Sequence, residues 1–347
     1  MNIAFTYNVR HVKPDANDPQ YLKEAEFDEP STIEGIIKAL QLLGHKVYQV
    51  EANKDAYEKL RALKNKIDIV FNIAEGIYGA DREAQIPSML EMLQIPYTGP
   101  KPMGYAVGLN KSVAKEILSY YHIPTAKWVT AHNMEELNNK VIDFFPAIVK
   151  PLSEGSSKGI FFRNLVNNKK ELDKIALELF STIGGDIIIE QYLTGREFTV
   201  AVLGNPPRVL PIIEITFDDL PAGMPKFDHF EAKWVYDDPV RHDPLVCPAD
   251  LTPELKKKIE DLCLKAFDGL EMEDWARFDV RLDGKGEPNF IEVNCPPGII
   301  PDPKANSRFP RAAIAAGLSY PQLLEEILKS ACRHYQMTYS SSKIKNK

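Results

Sequence analysis

No stretch of this 347-residue sequence approaches the roughly 18 consecutive apolar residues of a membrane span, and the run around Phe144 to Val149 is far shorter. No membrane partner is expected. The first ten residues, MNIAFTYNVR, lack the basic start, long apolar run and small-residue cleavage site of a secretory signal, so a soluble, cytoplasmic protein is expected. Cysteine is scarce: Cys247, Cys263, Cys295 and Cys332 show no CxxC spacing, which excludes a disulfide framework and leaves free thiols. Basic tracts are missing apart from a short Lys-rich tail at 343 to 347. With 49 acids against 42 bases and a net charge of -7, there is no nucleic-acid footprint. Any anionic ligand must be held by local charge. The sequence contains no GxxxxGK[ST], no GxGxxG and no HExxH, so a P-loop, a dinucleotide fingerprint and a zincin site lack support. The seven histidines show no i, i+4 pairing that would mark a histidine metal site.

What is present is an ordinary globular composition, 44% apolar and 26% charged, long enough for two or three domains. IAFTY, a Ser31-started helix STIEGIIKALQLLGH and KVYQVEA give a βαβ rhythm. Helical segments near 55 to 64 and 83 to 94, with IDIVFNIAE between them, complete a small parallel-sheet domain over 1–103. Pro96, Gly99, Pro100, Pro102 and Gly104 mark its border. A second, α+β unit over 104–192 carries the helix NKSVAKEILSYY, the strand FFPAIVKP, a glycine loop EGSSKG, a second strand IFFRN and the helix KKELDKIALELF. Residues 193–336 read as an antiparallel sheet, EFTVAVLG, VLPIIEITF, ARFDVRL and NFIEVNCP, covered by helices at 253 to 267, 309 to 316 and 320 to 334. A frayed tail occupies 337–347.

Three segments could carry chemistry. Gly155 to Gly159 formally match GxSxG, but a nucleophile elbow needs a strand before it and a helix after it, and IFFRN reads as strand. The same small residues can instead leave successive backbone N–H groups free to cradle phosphate oxygens, with Lys150 as a point charge beside them. A plain hairpin turn is the alternative. In RFDVRLDGKGEPNFIEVN, residues 277 to 294, alternation puts Arg277 and Asp279 on one strand face and Glu292 and Asn294 on one face of the partner. Phe278, Val280, Ile291 and Val293 take the opposite side. Two carboxylates and an amide oxygen form a hard-oxygen set suited to Mg²⁺; a solvated polar face is the alternative. In IIIEQYLTGREFTV, the Glu190–Leu193 hinge offers backbone groups to a purine edge, and Glu197 offers a carboxylate to ribose.

Taken together these segments resemble the ATP-grasp superfamily, specifically the D-alanine–D-alanine ligase group. The resemblance runs through VFNIAEGIYGADREAQIPSMLEMLQIPYTGP, NKSVAKEIL, FPAIVKPLSEGSSKGI, IIIEQYLTGREFTVAVLG, EAKW, VCPADL and ARFDVRLDGKGEPNFIEVNCPPG. It implies a three-domain α/β fold with α+β elements, in which ATP lies between two antiparallel-sheet domains and amino-acid substrates face the N-terminal parallel-sheet domain. Lys111 and Lys150 match phosphate-contacting lysines. Gly155, Ser156 and Ser157 match the closing loop, with Ser156 among the catalytic residues. Glu190, Gln191, Tyr192 and Leu193 match the adenine hinge, Glu197 the ribose acceptor, and Ile291 a further nucleotide contact. Lys233 in EAKW matches the mobile-loop lysine. Asp279, Glu292 and Asn294 match ligands for Mg²⁺, with Mn²⁺ as a substitute. Arg277 and the N–H of Gly298 match the groups that stabilise the tetrahedral intermediate. The implied reaction activates a carboxylate as an acyl phosphate, which an amine attacks to give an amide, ADP and phosphate. A homodimer through the first domain and a place in cell-wall biogenesis belong to the same implication.

The substrate-facing parts depart from that family. Its GG-x-S-x-E opening is replaced by TYNVRHVKPDANDPQYLKEAEFDEPS, which leaves Glu26, Asp28 and Glu29 as candidates for holding an ammonium. Its His-Gly pair is replaced by Glu75-Gly76, the tyrosine after its mobile-loop lysine by Trp234, and its serine–leucine stretch by IIPDPKANSRFP. There Lys304, Arg308 and Arg311 are candidates for a carboxylate clamp; a solvated basic rim is the alternative for those three. The expectation is an ATP-dependent carboxylate–amine ligase of amino-acid-like substrates. The alternatives are a ligase of the same mechanism for another amino acid or a larger metabolite, and a non-catalytic ATP-binding protein.

Overall fold

The computed structural model describes residues 1–12, 24, 26–234, 243–305 and 307–341. Part of the 7 to 31 loop, the Trp234 side chain, position 306 and tail residues 342–347 lie outside the described residues, and so do the expectations attached to them.

Strands β1 (Asn2–Tyr7), β2 (Lys46–Glu51) and β3 (Ile69–Asn72) form a parallel sheet in the order β2-β1-β3. The crossovers are helices α1 (Pro30–Leu42) and α2 (Ala56–Leu63). The central strand is covered on both faces, which is why Ile3, Ala4 and Phe5 run apolar without alternation. A 3₁₀ turn at Arg82–Ala84 leads into α3 (Gln85–Leu93), as expected. Helix α4 (Pro102–Leu109) was not expected and runs across the 103/104 border. Its prolines and glycines read as punctuation, yet Pro102 sits at the first helical turn, where a missing N–H costs nothing. Gly104 lets the helix lie on the backbone, since a Cβ there would come within 2.9 Å of the Glu271 carbonyl oxygen.

The second sheet is antiparallel, β4 (Trp128–Ala131), β7 (Ile187–Gln191), β5 (Ala147–Pro151) and β6 (Leu165–Val166) in that order. Helix α5 (Lys111–Tyr120) starts at the Asn110 cap, α6 (Met134–Asn138) follows β4, and α7 (Lys169–Thr182) covers the sheet from its Asn168 cap. IFFRN is not a strand. Phe162–Asn164 is a 3₁₀ turn, because the Asn164 amide donates to the carbonyls of Val149 and Gly159 at 2.7 Å each and pulls the chain round; only then does β6 pair with β5.

The third sheet carries β8 (Glu197–Leu203), β9 (Arg208–Val209), β10 (Ile213–Ile215), β11 (Leu245–Val246), β12 (Trp275–Leu282) and β13 (Pro288–Asn294), ordered β11-β10-β8-β12-β13 with β9 on β8. The short helix α8 (Phe230–Trp234) follows β10. Helix α9 (Pro253–Gly269) packs on one face through Ile259, Leu262 and Phe267, against Phe198, Val200 and Phe278. Helices α10 (Arg308–Ala315) and α11 (Tyr320–His334) pack on the other face, where they share one core with the first sheet.

Trp275 fills that shared core. It is fully buried, stands edge-on to Phe309 at 5.4 Å and lies 6.2 Å from Phe71 of β3. Asp274 beside it is 3% exposed and accepts from the Gly99 N–H at 2.9 Å. Burial pushes its carboxyl up to about 7, against the Gly99 N–H that favours the charge.

Two outcomes are expected. Trp275→Ala removes a packed indole from between two sheets and should cost about 3–5 kcal/mol, read as a lowered denaturation midpoint with Trp275→Phe intermediate. Asp274 holds its proton in the folded chain up to about pH 7 and releases it near its ordinary value of 3.8 when unfolded, so its contribution to stability falls as pH rises between those values. Asp274→Asn keeps the acceptor and removes the titration. Thermal midpoints from pH 4 to pH 8 should therefore fall less in Asp274→Asn than in wild type.

Candidate active site

The glycine loop separates two adjoining cavities. The larger, about 410 Å³, is lined by Ser156, Lys111, Lys233, Arg277, Glu292, Asn294 and Gly298. The smaller, about 60 Å³, is lined by Ser157, Lys150, Glu190 to Leu193, Glu197, Asp279 and Ile291. Glu292 faces both. Ser156 and Ser157 adopt left-handed φ values of 50° and 57°, a costly conformation for two successive non-glycine residues, of the kind found at ligand clamps. No α-helix follows the loop, so the nucleophile elbow stays excluded, though by a 3₁₀ turn rather than by the strand expected from sequence.

The smaller slot is built by buried charge. Lys150 reaches Glu190 Oε2 at 2.5 Å, and Lys115, which the sequence reading missed, reaches Oε1 at 2.7 Å. Burial alone would raise the Glu190 carboxyl; the two lysines outweigh it and hold it near 2. Its side chain is therefore a tether for lysines, and the hinge presents backbone instead. The N–H of Leu193 has no hydrogen-bond acceptor among the described residues, and the residue lines the slot. Glu197 is also committed, to Arg281 at 2.5 Å, and burial still pushes its carboxyl up to about 7. Arg281 was missed as well. It stacks 4.8 Å from the Tyr192 ring and donates to the Tyr192 hydroxyl at 3.1 Å, which roofs the slot.

The hairpin brings its chemistry together with one change. Arg277 pairs across from Asn294, and Asp279 across from Glu292, as alternation requires. A β-bulge then places Phe290, not Ile291, opposite Val280. Phe290 is fully buried in the core, while Ile291 turns to the small cavity with Asp279 and Glu292, against the expectation that it shares the apolar face. Arg277 lies 3.3 Å from Asp279 Oδ2, and Asn294 Nδ2 donates to the same oxygen at 3.1 Å. Burial raises the Asp279 carboxyl, but Arg277 and Arg308 outweigh it and keep the group below its ordinary range. Lys111 is 3.6 Å from Glu292 and donates to the Glu154 carbonyl at 2.7 Å. Two carboxylates and an amide at adjacent cross-strand positions fit a hard divalent cation. Gly298 is exposed to the large cavity, with an N–H that no described residue engages. Burial, next to Arg308, lowers the Lys233 ammonium to about 8 despite Asp228.

The substrate-facing candidates divide. Glu26 is spent on Arg82 at 2.6 Å and on the Gly155 N–H at 2.6 Å, and Glu29 on Arg10 at 2.6 Å. Asp28 and Glu75 face the large cavity. Lys304 and Arg308 line it too. Arg308 is buried and paired with Asp228 at 2.7 Å, so it is no solvated rim; Arg311 lies outside the lining and pairs with Asp243 at 2.5 Å. The cysteines are free thiols, and no helix among the described residues is long and apolar enough to cross a membrane.

Residues 109–329 match the family described as D-ala D-ala ligase C-terminus. An uncharacterized protein of Sinorhizobium fredii, y4sG, is 31% identical over 309 residues, 87% of this chain and 88% of its own. The D-alanine–D-alanine ligase of Haemophilus influenzae is 33% identical over 299 residues, 85% of this chain and 93% of its own. The crystal structure of the D-alanine–D-alanine ligase from Bacillus anthracis complexed with ATP shares the fold, with a TM-score of 0.70 at 24% identity over 97% of this chain and 99% of that one. By its sequence over most of its length and by its three-sheet fold, the chain belongs to the D-alanine–D-alanine ligase-like family of ATP-grasp enzymes.

Proposed function

We propose that this ATP-dependent ligase joins the carboxylate of one amino-acid-like substrate to the amine of another by way of an acyl phosphate. The observation that carries the reading is the hairpin where the two cavities adjoin: Glu292 faces both, Arg277 and Asn294 line the larger with the buried Lys111, and Asp279 lines the smaller with the buried Lys150. Asp279, Glu292 and Asn294 would hold Mg²⁺, or Mn²⁺ in its place, which when bound neutralises phosphate charge. Lys150 and Lys111 keep positive charge on either side of that set, and the left-handed Ser156–Ser157 turn aims loop groups at both cavities. The slot formed by Leu193, Tyr192 and Ile291 would take the nucleotide base.

Arg277 and the N–H of Gly298 are the donors for an oxyanion in the large cavity, and the burial of Arg277 strengthens its charge there. No protein nucleophile is required, consistent with the missing elbow. Small-molecule partners, a cytoplasmic location, a homodimer through the first domain and the division at 103, 192 and 336 are parts of this proposal. A role in cell-wall biogenesis would follow only from a D-alanyl-D-alanine product. Glu75, and the loops at 7 to 31 and 299 to 311, argue for substrates other than two alanines. A non-catalytic ATP-binding role is the second reading, and the intact metal set and Arg277 speak against it.

The test is phosphate release from MgATP with D-alanine alone and then with D- and L-amino acids singly and in pairs, with product masses. A condensed product one water lighter than its two parts is expected. Arg277→Ala should lower kcat by about 10²–10³-fold, and Asp279→Asn should raise the Mg²⁺ concentration needed for half-maximal activity. Tight MgATP binding with no phosphate release from any pair would favour the non-catalytic reading.

A further inference from the structure

The wall of the large cavity opposite the hairpin is acidic, and its charges are unevenly answered. Glu26 and Glu154 share Arg82, at 2.6 and 3.1 Å, Glu154 also meets Lys158 at 3.0 Å, and Glu29 meets Arg10. The carboxylates of Asp28, Glu75 and Glu83 also line the cavity, and none has a hydrogen-bond or ion-pair partner among the described residues. Glu83 is only 7% exposed, so little solvent reaches it except through the cavity. The chain is folded to bring these groups together. Gly76 has φ +79°, and a Cβ there would sit 2.1 Å from the Arg82 carbonyl oxygen, so only glycine lets the segment after Glu75 close on the turn that carries Glu83.

Burial, with mutual repulsion among Glu75, Glu83, Glu26 and Asp28, pushes the Glu75 carboxyl well up; Arg82 offsets only part of it. Glu83 is raised in the same way against Arg82 and Lys111, and Asp28 rises to about 7 against Arg10. No group of three or more His, Cys, Asp or Glu among the described residues is arranged to hold a metal ion, so the lobe is not a cation site of that kind. Across the cavity stand Arg277, Arg308, Lys304, Lys111 and Lys233. The cavity is therefore bipolar, with one end for an anion and the other for a cation.

We infer that Glu75, Glu83 and Asp28 seat a cationic side-chain group of the substrate, an ammonium or guanidinium additional to the α-ammonium groups and the reacting carboxylate, and so select amino acids with basic side chains over neutral ones of equal length. The inference rests on the ligase reading for the identity of the ligand, and the basic wall orients the carboxylate while the acidic lobe fixes the far end. Glu75 and Glu83 are specificity residues in this scheme, remote from the nucleotide slot.

The experiment is calorimetric binding in the presence of Mg²⁺ and a non-hydrolysable ATP analogue. Lysine is compared with norleucine, and ornithine with norvaline, in both stereochemical forms. The basic member of at least one pair should bind tenfold or more tightly than its neutral partner. Glu83→Gln and Glu75→Gln should each cut that preference tenfold while leaving affinity for the analogue within twofold. Both variants should also melt at a higher temperature than wild type at pH 8, since each removes an unanswered carboxylate; a lower melting temperature would point to a structural role. Equal binding of basic and neutral members, or a preference that survives both variants, overturns the inference. The ligase reading fails separately: selective binding without phosphate release from any pair removes the ligase and keeps the lobe, whereas turnover of neutral amino acids without selectivity removes the lobe and keeps the ligase.

Discussion

Lys115 is fully excluded from solvent and meets Glu190 Oε1 at 2.7 Å, while Lys150 meets the other oxygen at 2.5 Å. One carboxylate thus holds two ammonium groups in the interior, where removing a charge from water costs several kcal/mol unless a partner stands close. The two lysines respond in opposite directions. Burial dominates at Lys115 and lowers it; at Lys150 burial is outweighed by Glu190 and Glu292, with Glu197 in addition, and the group ends up raised. Lys115 Nζ further donates to Thr125 Oγ1 at 2.6 Å, and that hydroxyl donates to the Phe290 carbonyl at 3.0 Å. The chain of contacts joins α5, both central strands of the second sheet and the bulged strand of the third. The smaller cavity and the bulged strand are joined by it, and loss of Glu190 would strand both buried ammonium groups.

The bulge at Ile291 shows how a local irregularity serves two demands. The core behind the hairpin needs large apolar groups from β13 at Phe290 and Val293, and the slot needs Ile291, Glu292 and Asn294. Strict alternation cannot satisfy both, because Phe290 would share a face with Glu292, and Ile291 with Val293. An extra residue in the strand resets the phase between them.

That reset also marks the limit of what the sequence discloses. Arg277, Asp279, Glu292 and Asn294 were legible because a DGKG turn fixes the register and period two does the rest. The bulge was not legible, since a period-two reading has no place for an extra residue. Lys115 and Arg281 were invisible for a different reason: their partners lie 75 and 84 positions away, Glu190 after it and Glu197 before it, and no local pattern distinguishes them from surface cations. Helix α4 hid behind prolines and glycines, of which Gly104 is required by the close approach to Glu271. Glu75 was seen only as a departure from the family pattern, because its meaning depends on Glu83, and their proximity depends on the backbone closure at Gly76.

Arg82 connects these observations. Its guanidinium binds Glu26 and the Glu154 carboxylate and donates to the Ser153 carbonyl at 3.0 Å, so one cation on the first domain grips the glycine loop of the second. Glu26 completes the grip by accepting the Gly155 N–H, the kind of donor that an anion-binding loop offers to phosphate. The glycine loop, which lines both cavities, is thereby tied through Arg82 to the acidic lobe of the larger one. The grip on the loop and the charge of the lobe thus meet in one ion pair, Arg82 with Glu26, whose two oxygens are divided between the guanidinium and the Gly155 N–H.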